Sequence, residues 1–79
     1  MNVEIITPET TVFSGTEINL VQLPGLDGSF EILNNHAPLI SALKRGKIKL
    51  IKQDKSTEFF EIKGGMVEVT KNKVLILAE

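Results

Sequence analysis

Apolar and polar side chains alternate along most of this sequence, in short runs separated by turn-forming residues. Alternation with a period of two is the pattern of a strand with one buried face, and no window has the spacing of an amphipathic helix. Strands of about 4 to 7 residues, with turn signals every 8 to 12 or so, are typical of all-β antiparallel sandwiches and flattened barrels. Strands are predicted over residues 3–6, 10–13, 17–23, 29–33, 39–43, 47–50, 58–62, 66–69 and 74–77.

Some of these segments carry more detail. Residues 39–43 fit a short strand or a helical turn, and we favour the strand. In residues 17–23, Ile18 and Leu20 are expected on one face and Val21 and Leu23 on the other. Two polar turns join the last four strands into two hairpins, and Asn72 suits the left-handed position of the second turn.

The segment from Gly28 to Leu39 is chemically the most varied part of the sequence. It begins as a strand, turns at Asn34-Asn35-His36 and continues through Ala37-Pro38, where proline keeps the chain extended. It also contains the only histidine. Ordered loops on a rigid scaffold are common places for function, so this segment is the first candidate for a binding site.

Composition narrows the possible functions. A chain of 79 residues is expected to form one domain, residues 1–79, that buries about 60% of its unfolded surface. The absence of cysteine removes disulfides and thiolate metal sites, and a single histidine cannot form a histidine cluster. A net charge of -1, without Trp or Tyr, provides neither the basic excess nor the stacking surface typical of nucleic-acid binding. The longest apolar run, Val74–Ala78, is far shorter than the roughly 20 residues that span a bilayer, and we expect a soluble, non-exported protein.

Few residues could support catalysis. His36 is a candidate base, but no acid or nucleophile accompanies it in a recognisable motif. We therefore expect its ring to hold the loop through hydrogen bonds to the backbone, in a non-catalytic protein without metal or cofactor. A stand-alone enzyme centred on His36 would instead need a deep pocket with perturbed carboxylates around the ring.

Basic side chains are concentrated in one part of the sequence. Glu58 and Glu61 lie on the strand predicted to pair with this part, so we interpret it as a solvated sheet face. Contact with an acidic partner is the alternative. The basic strip consists of Lys44, Arg45, Lys47, Lys49 and Lys52.

A second functional alternative comes from Asp54-Lys55 at a predicted hairpin tip. It is similar to the lipoyl and biotinyl carrier domains, which present a modified lysine at a turn. Ser56 stands where those families usually have Ala or Met, and the two halves of the chain show no self-similarity. A carrier domain modified at Lys55 is therefore retained only as the alternative.

Several short motifs, spread in order over the whole chain, point to one family. They are Phe13-Ser14-Gly15, Gly28-x-Phe30-x-Ile32-Leu33, His36-Ala37-Pro38-Leu39-Ile40, Gly46-x-Ile48 and Gly64-Gly65-Met66-Val67-Glu68-Val69. Together they resemble the epsilon subunit of bacterial F-type ATP synthase, called delta in mitochondria.

This resemblance implies a two-layer antiparallel β-sandwich of about ten short strands, and a non-catalytic role. In the family, the sandwich lies at the foot of the central stalk, binds the gamma subunit and the ring of c subunits, rotates with them and helps couple ion flow to ATP synthesis. It meets the membrane only through the complex, on the cytoplasmic face of the bacterial inner membrane. A helical hairpin that inhibits ATP hydrolysis, and in some members binds ATP, usually follows the sandwich. The sequence ends at Glu79, where the sandwich finishes, so we do not expect that hairpin within it, and a naturally short subunit and a truncated chain both agree with this end.

The resemblance also suggests contact residues. Many relatives have an acid at the position of Ser29, facing the polar loop of the ring, whereas here the nearby acids are Asp27 and Glu31. These three residues share a face if the segment is extended. The expected contacts with the c ring are Asp27, Gly28, Ser29 and Glu31, and those with gamma are His36, Ala37, Pro38 and Leu39.

Overall fold

The structure, a computed structural model, describes residues 1–79 and consists of strands and turns. It contains no helix long and apolar enough to cross a bilayer. Residues 39–43 form a strand, which confirms the choice made above. The strands are β1 (Asn2–Ile6), β2 (Thr11–Gly15), β3 (Ile18–Gly25), β4 (Gly28–Leu33), β5 (Leu39–Leu43), β6 (Gly46–Lys52), β7 (Thr57–Ile62), β8 (Gly65–Thr70) and β9 (Lys73–Ala78).

The sheet curls over itself and forms two layers. One layer has the order β2-β1-β9-β8-β5, and the other contains β4, β3, β6 and β7. The layers are joined where Gly25 of β3 pairs with Leu43 of β5. At the opposite margin, Phe13 of β2 lies against Phe60 of β7, with ring centroids 5.4 Å apart. The predicted sandwich is confirmed, with nine strands instead of about ten and with one parallel pair, β1 with β9, among antiparallel ones.

The core lies between the two layers and is entirely apolar. Alternate residues of each strand point inward, and no polar or charged residue is buried with them. Full burial of one aliphatic side chain contributes about 1.5 to 3 kcal/mol, so this cluster supplies the main favourable term in folding. Its members are Met1, Val3, Ile5, Ile18, Val21, Leu23, Ile32, Leu43, Ile48, Leu50, Ile62, Val67, Val69, Val74, Ile76 and Ala78.

A bulge in β3 changes which of its residues face the core. The register of β3 against β6 shifts between Ile18 and Leu20, so one extra residue is accommodated there. Ile18 is consequently buried on the same side as Val21 and Leu23, whereas Leu20 is half-buried. The expectation that Ile18 and Leu20 share a face was wrong, because strict alternation does not continue through a bulge.

The two predicted hairpins are confirmed. β6 pairs with β7 and β8 with β9, both antiparallel. Asn72, in the turn between β8 and β9, has a φ of 50°, the left-handed conformation expected of it. Asparagine tolerates this conformation better than most residues, which explains its place in a tight turn.

The first prediction concerns Gly65, at the start of β8, whose φ is +150°. A Cβ atom at this position would overlap the carbonyl oxygen of Leu77 on β9. Because this neighbour is backbone within a paired strand, we expect Gly65→Ala to lower the free energy of unfolding by more than about 2 kcal/mol. Urea unfolding followed by circular dichroism measures the loss.

The matched control is Gly28→Ala. Gly28 also has a positive φ, +128°, but no atom lies within 4 Å of the position that the alanine Cβ would occupy. Only backbone strain remains, which costs about 1 to 2 kcal/mol. Equal losses in the two variants would contradict the steric explanation.

Candidate functional site

The residues expected to contact the c ring lie around the turn between β3 and β4. Gly25 pairs with Gly28, leaving Leu26 and Asp27 as a two-residue turn. Asp27, Gly28 and Ser29 are all exposed. The positive φ at this point belongs to Gly28, at +128°, a backbone conformation that glycine adopts readily.

Ser29 and Glu31 share the outer face of β4, as the alternation predicts, and both are exposed. Their partners across β3 are Pro24 and Gln22, and the Gln22 side-chain amide donates a hydrogen bond of 3.1 Å to the Ser29 hydroxyl. Asp27 lies in the turn before the strand begins. The rule that residues two apart share a face therefore applies to Ser29 and Glu31 but does not extend to Asp27.

Two basic residues, Lys44 and Arg45, lie near the turn that carries Asp27. The backbone N–H of Lys44 donates to the carbonyl oxygen of Pro24 at 2.9 Å, so the exposed turn of Lys44 and Arg45 lies beside the turn that carries Asp27. This end of the protein presents both signs of charge, and a partner that docks here must complement both.

His36 belongs to a loop that is held at several points. Its Nδ1 and the carbonyl oxygen of Ala37 are 2.7 Å apart, a distance at which the ring N–H donates to the backbone. The backbone N–H of His36 also donates to the carbonyl oxygen of Leu33 at 3.2 Å. The ring therefore bonds the backbone of its own loop, the structural role expected of it.

Two asparagines anchor the same loop to other parts of the chain. The ammonium group of Met1 donates to Oδ1 of Asn34 at 2.8 Å, and the backbone N–H of Asn35 donates to Oδ1 of Asn72 at 3.0 Å. Asn35 has a φ of 63°, a left-handed conformation that these contacts support. The Asn-Asn-His turn is thus a fixed platform.

The four residues expected to contact gamma differ in exposure. Ala37 and Pro38 are exposed, and His36 is half-buried. Leu39 is half-buried as well, because its side chain packs against the core. Ala37 and Pro38 are therefore fully accessible and His36 is accessible in part, whereas the side chain of Leu39 holds the loop against the core.

The two sets of residues lie at opposite ends of β4. β4 begins at Gly28, next to the turn at residues 26–27, which we call the charged turn. It ends at Leu33, next to residues 34–38, which we call the histidine loop. Five steps of about 3.4 Å separate these residues by about 17 Å. The structure does not bring the two sets together, so they form two separate surfaces.

No arrangement typical of catalysis surrounds His36. The depression beside its ring is lined by Asn35, His36, Ala37, Pro38, Lys71 and Asn72 and contains no carboxylate. No group of three or more His, Cys, Asp or Glu side chains is positioned to hold a metal ion. The deep pocket with carboxylates that an enzyme centred on His36 requires is not formed at this ring.

The basic strip does not lie on one face of the sheet, because Lys47 and Lys49 point outward from β6, whereas Lys52 lies on the same side as the buried Leu50. Lys47 is the register partner of Glu61, and Nζ of Lys52 is 3.2 Å from a carboxylate oxygen of Glu58. Cross-strand pairs of opposite charge are typical of solvated sheet faces. The interpretation as a solvated face is therefore supported for Lys47, which pairs with the exposed Glu61, and does not extend to Lys52 and Glu58 on the inner side.

The turn that carries Lys55 is organised by its neighbours. The hydroxyl and the backbone N–H of Ser56 donate to Oδ1 of Asp54 at 2.6 and 2.9 Å. These bonds stabilise the charged form and lower the pKa of the Asp54 carboxyl below its ordinary value. Lys55 itself has a φ of 72°. Asp54 and Ser56 therefore have structural roles in closing this turn.

The sequence reasoning did not identify a group of exposed apolar residues on the outer face of the first layer. Ile40 of β5, Met66 of β8 and Leu77 of β9 all point outward. Each stands next to core residues in an apolar stretch, so its own residue type does not reveal its face. The signal that could have found two of them is alternation, because Met66 shares its face of β8 with Glu68 and Thr70, and Leu77 shares its face of β9 with Lys73.

The second prediction concerns the anchor of the histidine loop. Asn72→Gly keeps the left-handed backbone but removes the acceptor of the Asn35 N–H. We expect hydrogen exchange of the Asn35 amide to accelerate about tenfold or more, since one bond of about 1 to 1.5 kcal/mol is lost. NMR exchange measures this. Unchanged protection of Asn35, with equal acceleration elsewhere in the sheet, would contradict the anchoring role.

Residues 1–79 match the family described as "ATP synthase, Delta/Epsilon chain, beta-sandwich domain". The chain is 50% identical over 76 residues to the ATP synthase epsilon chain of Chlorobium limicola, covering 96% of this chain and 85% of that one. It is 39% identical over 79 residues to the epsilon chain of Caulobacter vibrioides, covering 100% of this chain and 90% of the relative.

A solved structure has the same fold. It belongs to the central stalk and c ring of the Tetrahymena thermophila mitochondrial ATP synthase, with a TM-score of 0.85 and 20% identity. The match covers 99% of this chain and 62% of the solved one. The family match and the two relatives favour this family over the carrier-domain alternative. This chain belongs to the delta/epsilon-chain family of ATP synthase and forms its β-sandwich domain.

Proposed function

We propose that this protein is a non-catalytic subunit of the central stalk of F-type ATP synthase, which binds gamma and the c ring and couples ion flow to ATP synthesis. The observation that carries the proposal is the separation of the two exposed surfaces by the length of β4. A subunit that links a ring to a stalk needs two distant contact surfaces on one stiff body, and this sheet provides them.

In this proposal the charged turn faces the ring, through Asp27, Gly28, Ser29 and Glu31. The mixed charge of this end favours docking guided by electrostatics, since exposed ion pairs contribute only about 0 to 1 kcal/mol each. The subunit lies peripherally at the cytoplasmic face of the bacterial inner membrane and reaches the membrane only through the complex.

The histidine loop faces gamma. His36, Ala37 and Pro38 provide the accessible contacts, and Leu39 holds the loop on the core. The anchored loop loses little conformational entropy on binding, which favours affinity. We assign neither inhibition of ATP hydrolysis nor ATP binding to residues 1–79, because the resemblance attributes those activities to a helical hairpin.

The third prediction tests the gamma contact. Pro38→Asp introduces a charge at an exposed loop position, and burying it unpaired against gamma is expected to weaken binding at least about tenfold. Calorimetry with purified gamma measures the affinity. Gln53→Asp is the control, because it is exposed in a different turn. If Pro38→Asp remains folded and binds gamma like the unchanged protein, the histidine loop is not the interface.

The fourth prediction tests the ring contact. A photo-crosslinking residue placed at Ser29 in the assembled synthase is expected to label the c subunit, whereas the same residue at Gln53 is not. Mass spectrometry of the products identifies the labelled subunit. Labelling of c from Gln53 and never from Ser29 would reverse the proposed orientation of the sandwich.

A further inference from the structure

Part of the basic strip borders a depression in the layer that contains β6 and β7. The depression lies at the open end of the β6–β7 hairpin, and its volume is about 510 Å³. Its lining has three cations and one carboxylate, so positive charge is in excess here although the whole protein has a net charge of -1. We call it the basic depression, and its lining residues are Arg45, Gly46, Lys47, Glu61, Ile62 and Lys63.

Two of these cations face each other where the β6–β7 ladder ends. Gly46 is the register partner of Ile62, so the next residues outward, Arg45 and Lys63, are opposite each other. Both are exposed, and both line the depression. Like charges directly opposite each other destabilise a pair of strands. The protein therefore keeps a repulsive pair at this position, and an anion bound between the two cations would remove the repulsion.

No ion pair neutralises these two cations. The ion pairs of the protein, with nitrogen–oxygen distances of 4.0 Å or less, involve other basic residues. Glu61 lies in the same depression, and the carboxylate of Glu79 lies beside Gly64, but neither comes within this distance of a cation. The N–H donors of Arg45 and Lys63 are therefore free for a ligand.

Backbone hydrogen bonds fix the segments that carry the cations. On one side, the N–H of Lys44 donates to the carbonyl oxygen of Pro24 at 2.9 Å. On the other side, the N–H of Glu79 donates to the carbonyl oxygen of Gly64 at 3.0 Å. The third cation, Lys47, belongs to the paired part of β6. Binding here orders side chains but not backbone, which lowers its entropic cost.

Charge and geometry together select the ligand. A phosphate group carries about -1.5 to -2 at pH 7, which matches the excess positive charge of the depression better than a single carboxylate does. A guanidinium presents paired N–H donors to phosphate oxygens, and ammonium groups add point charges from other sides. We propose that the basic depression binds a doubly charged phosphate group between Arg45 and Lys63, with Lys47 as a third donor. The volume leaves room for the molecule that carries the group, a soluble phosphate compound or a lipid headgroup.

The experiment titrates the full chain with inorganic phosphate at constant ionic strength, with chloride as the compensating salt. We expect saturable shifts of the backbone amide resonances of residues 45–47 and 63 in NMR spectra. Arg45→Gln should weaken the affinity at least about fivefold, because charge-assisted donors are lost. The control is Lys55→Gln, which removes the same charge from an exposed position at the other end of the hairpin and should leave the affinity unchanged.

A second variant separates binding from folding. Lys63→Glu replaces the like-charged pair with an oppositely charged one, so it should raise the urea midpoint of unfolding in chloride and abolish phosphate binding. Vesicles of phosphatidylcholine, with and without phosphatidic acid, then identify the source of the group. Binding to the phosphatidic acid vesicles that Arg45→Gln weakens assigns it to a lipid headgroup, whereas phosphate binding without vesicle binding assigns it to a soluble compound.

Three results would overturn this inference. The same shifts in chloride alone would mean an effect of ionic strength. Equal weakening by Arg45→Gln and Lys55→Gln would mean non-specific attraction to positive charge. Phosphate binding that survives Lys63→Glu would place the anion elsewhere on the protein. The inference does not rest on the proposed function, and neither gamma nor the c ring is present in the assay, so its failure leaves the proposed contacts with those subunits unaffected.

Discussion

A backbone joint between β3 and β5 connects the two layers of this protein. Gly25 of β3 pairs with Leu43 of β5, and hydrogen bonds from Leu26 to Ala42 and from Lys44 to Pro24 flank this pair. The joint requires glycine, because a Cβ on Gly25 would lie 2.6 Å from the carbonyl oxygen of Gly28 and 2.8 Å from the Phe30 ring. These few backbone contacts therefore place the charged turn beside the end of β5 that carries Ala42.

A small sandwich has little interior, which explains why so much apolar surface faces outward. Two layers enclose one core about 10 Å thick, and only alternate residues of each strand reach it. Hydrophobic residues make up 42% of the 79 residues, but only 16 residues form the core. The remaining apolar side chains could have been scattered. Four of them are instead register partners in one row across β1, β9, β8 and β5: Ile6, Leu77, Met66 and Ala42.

The strands and turns were predictable because alternation and turn chemistry are local properties. Residues 39–43 and the turn at Asn72 followed from these signals, and so did the hairpins of the second half. The bulge at Asn19 was not predictable from the sequence, since it depends on how β3 pairs with β6. The exposed apolar residues on the outer face of the first layer were missed for a different reason. Met66 and Leu77 resemble their buried neighbours Val67 and Ile76 in residue type, although alternation places Met66 with Glu68 and Leu77 with Lys73 on the outward faces of their strands.

β5 connects the two proposed contact surfaces of this protein. It begins at the anchored histidine loop, carries Ile40 and Ala42 on its outer face, and ends at the joint beside the charged turn. Along its length it is paired with β8, so its residues are fixed relative to one another by backbone hydrogen bonds. A subunit that turns with its partners, as proposed here, must transmit force without deforming. A paired strand between contact surfaces meets that requirement, because bending it would break several hydrogen bonds at once and expose the apolar core beneath it.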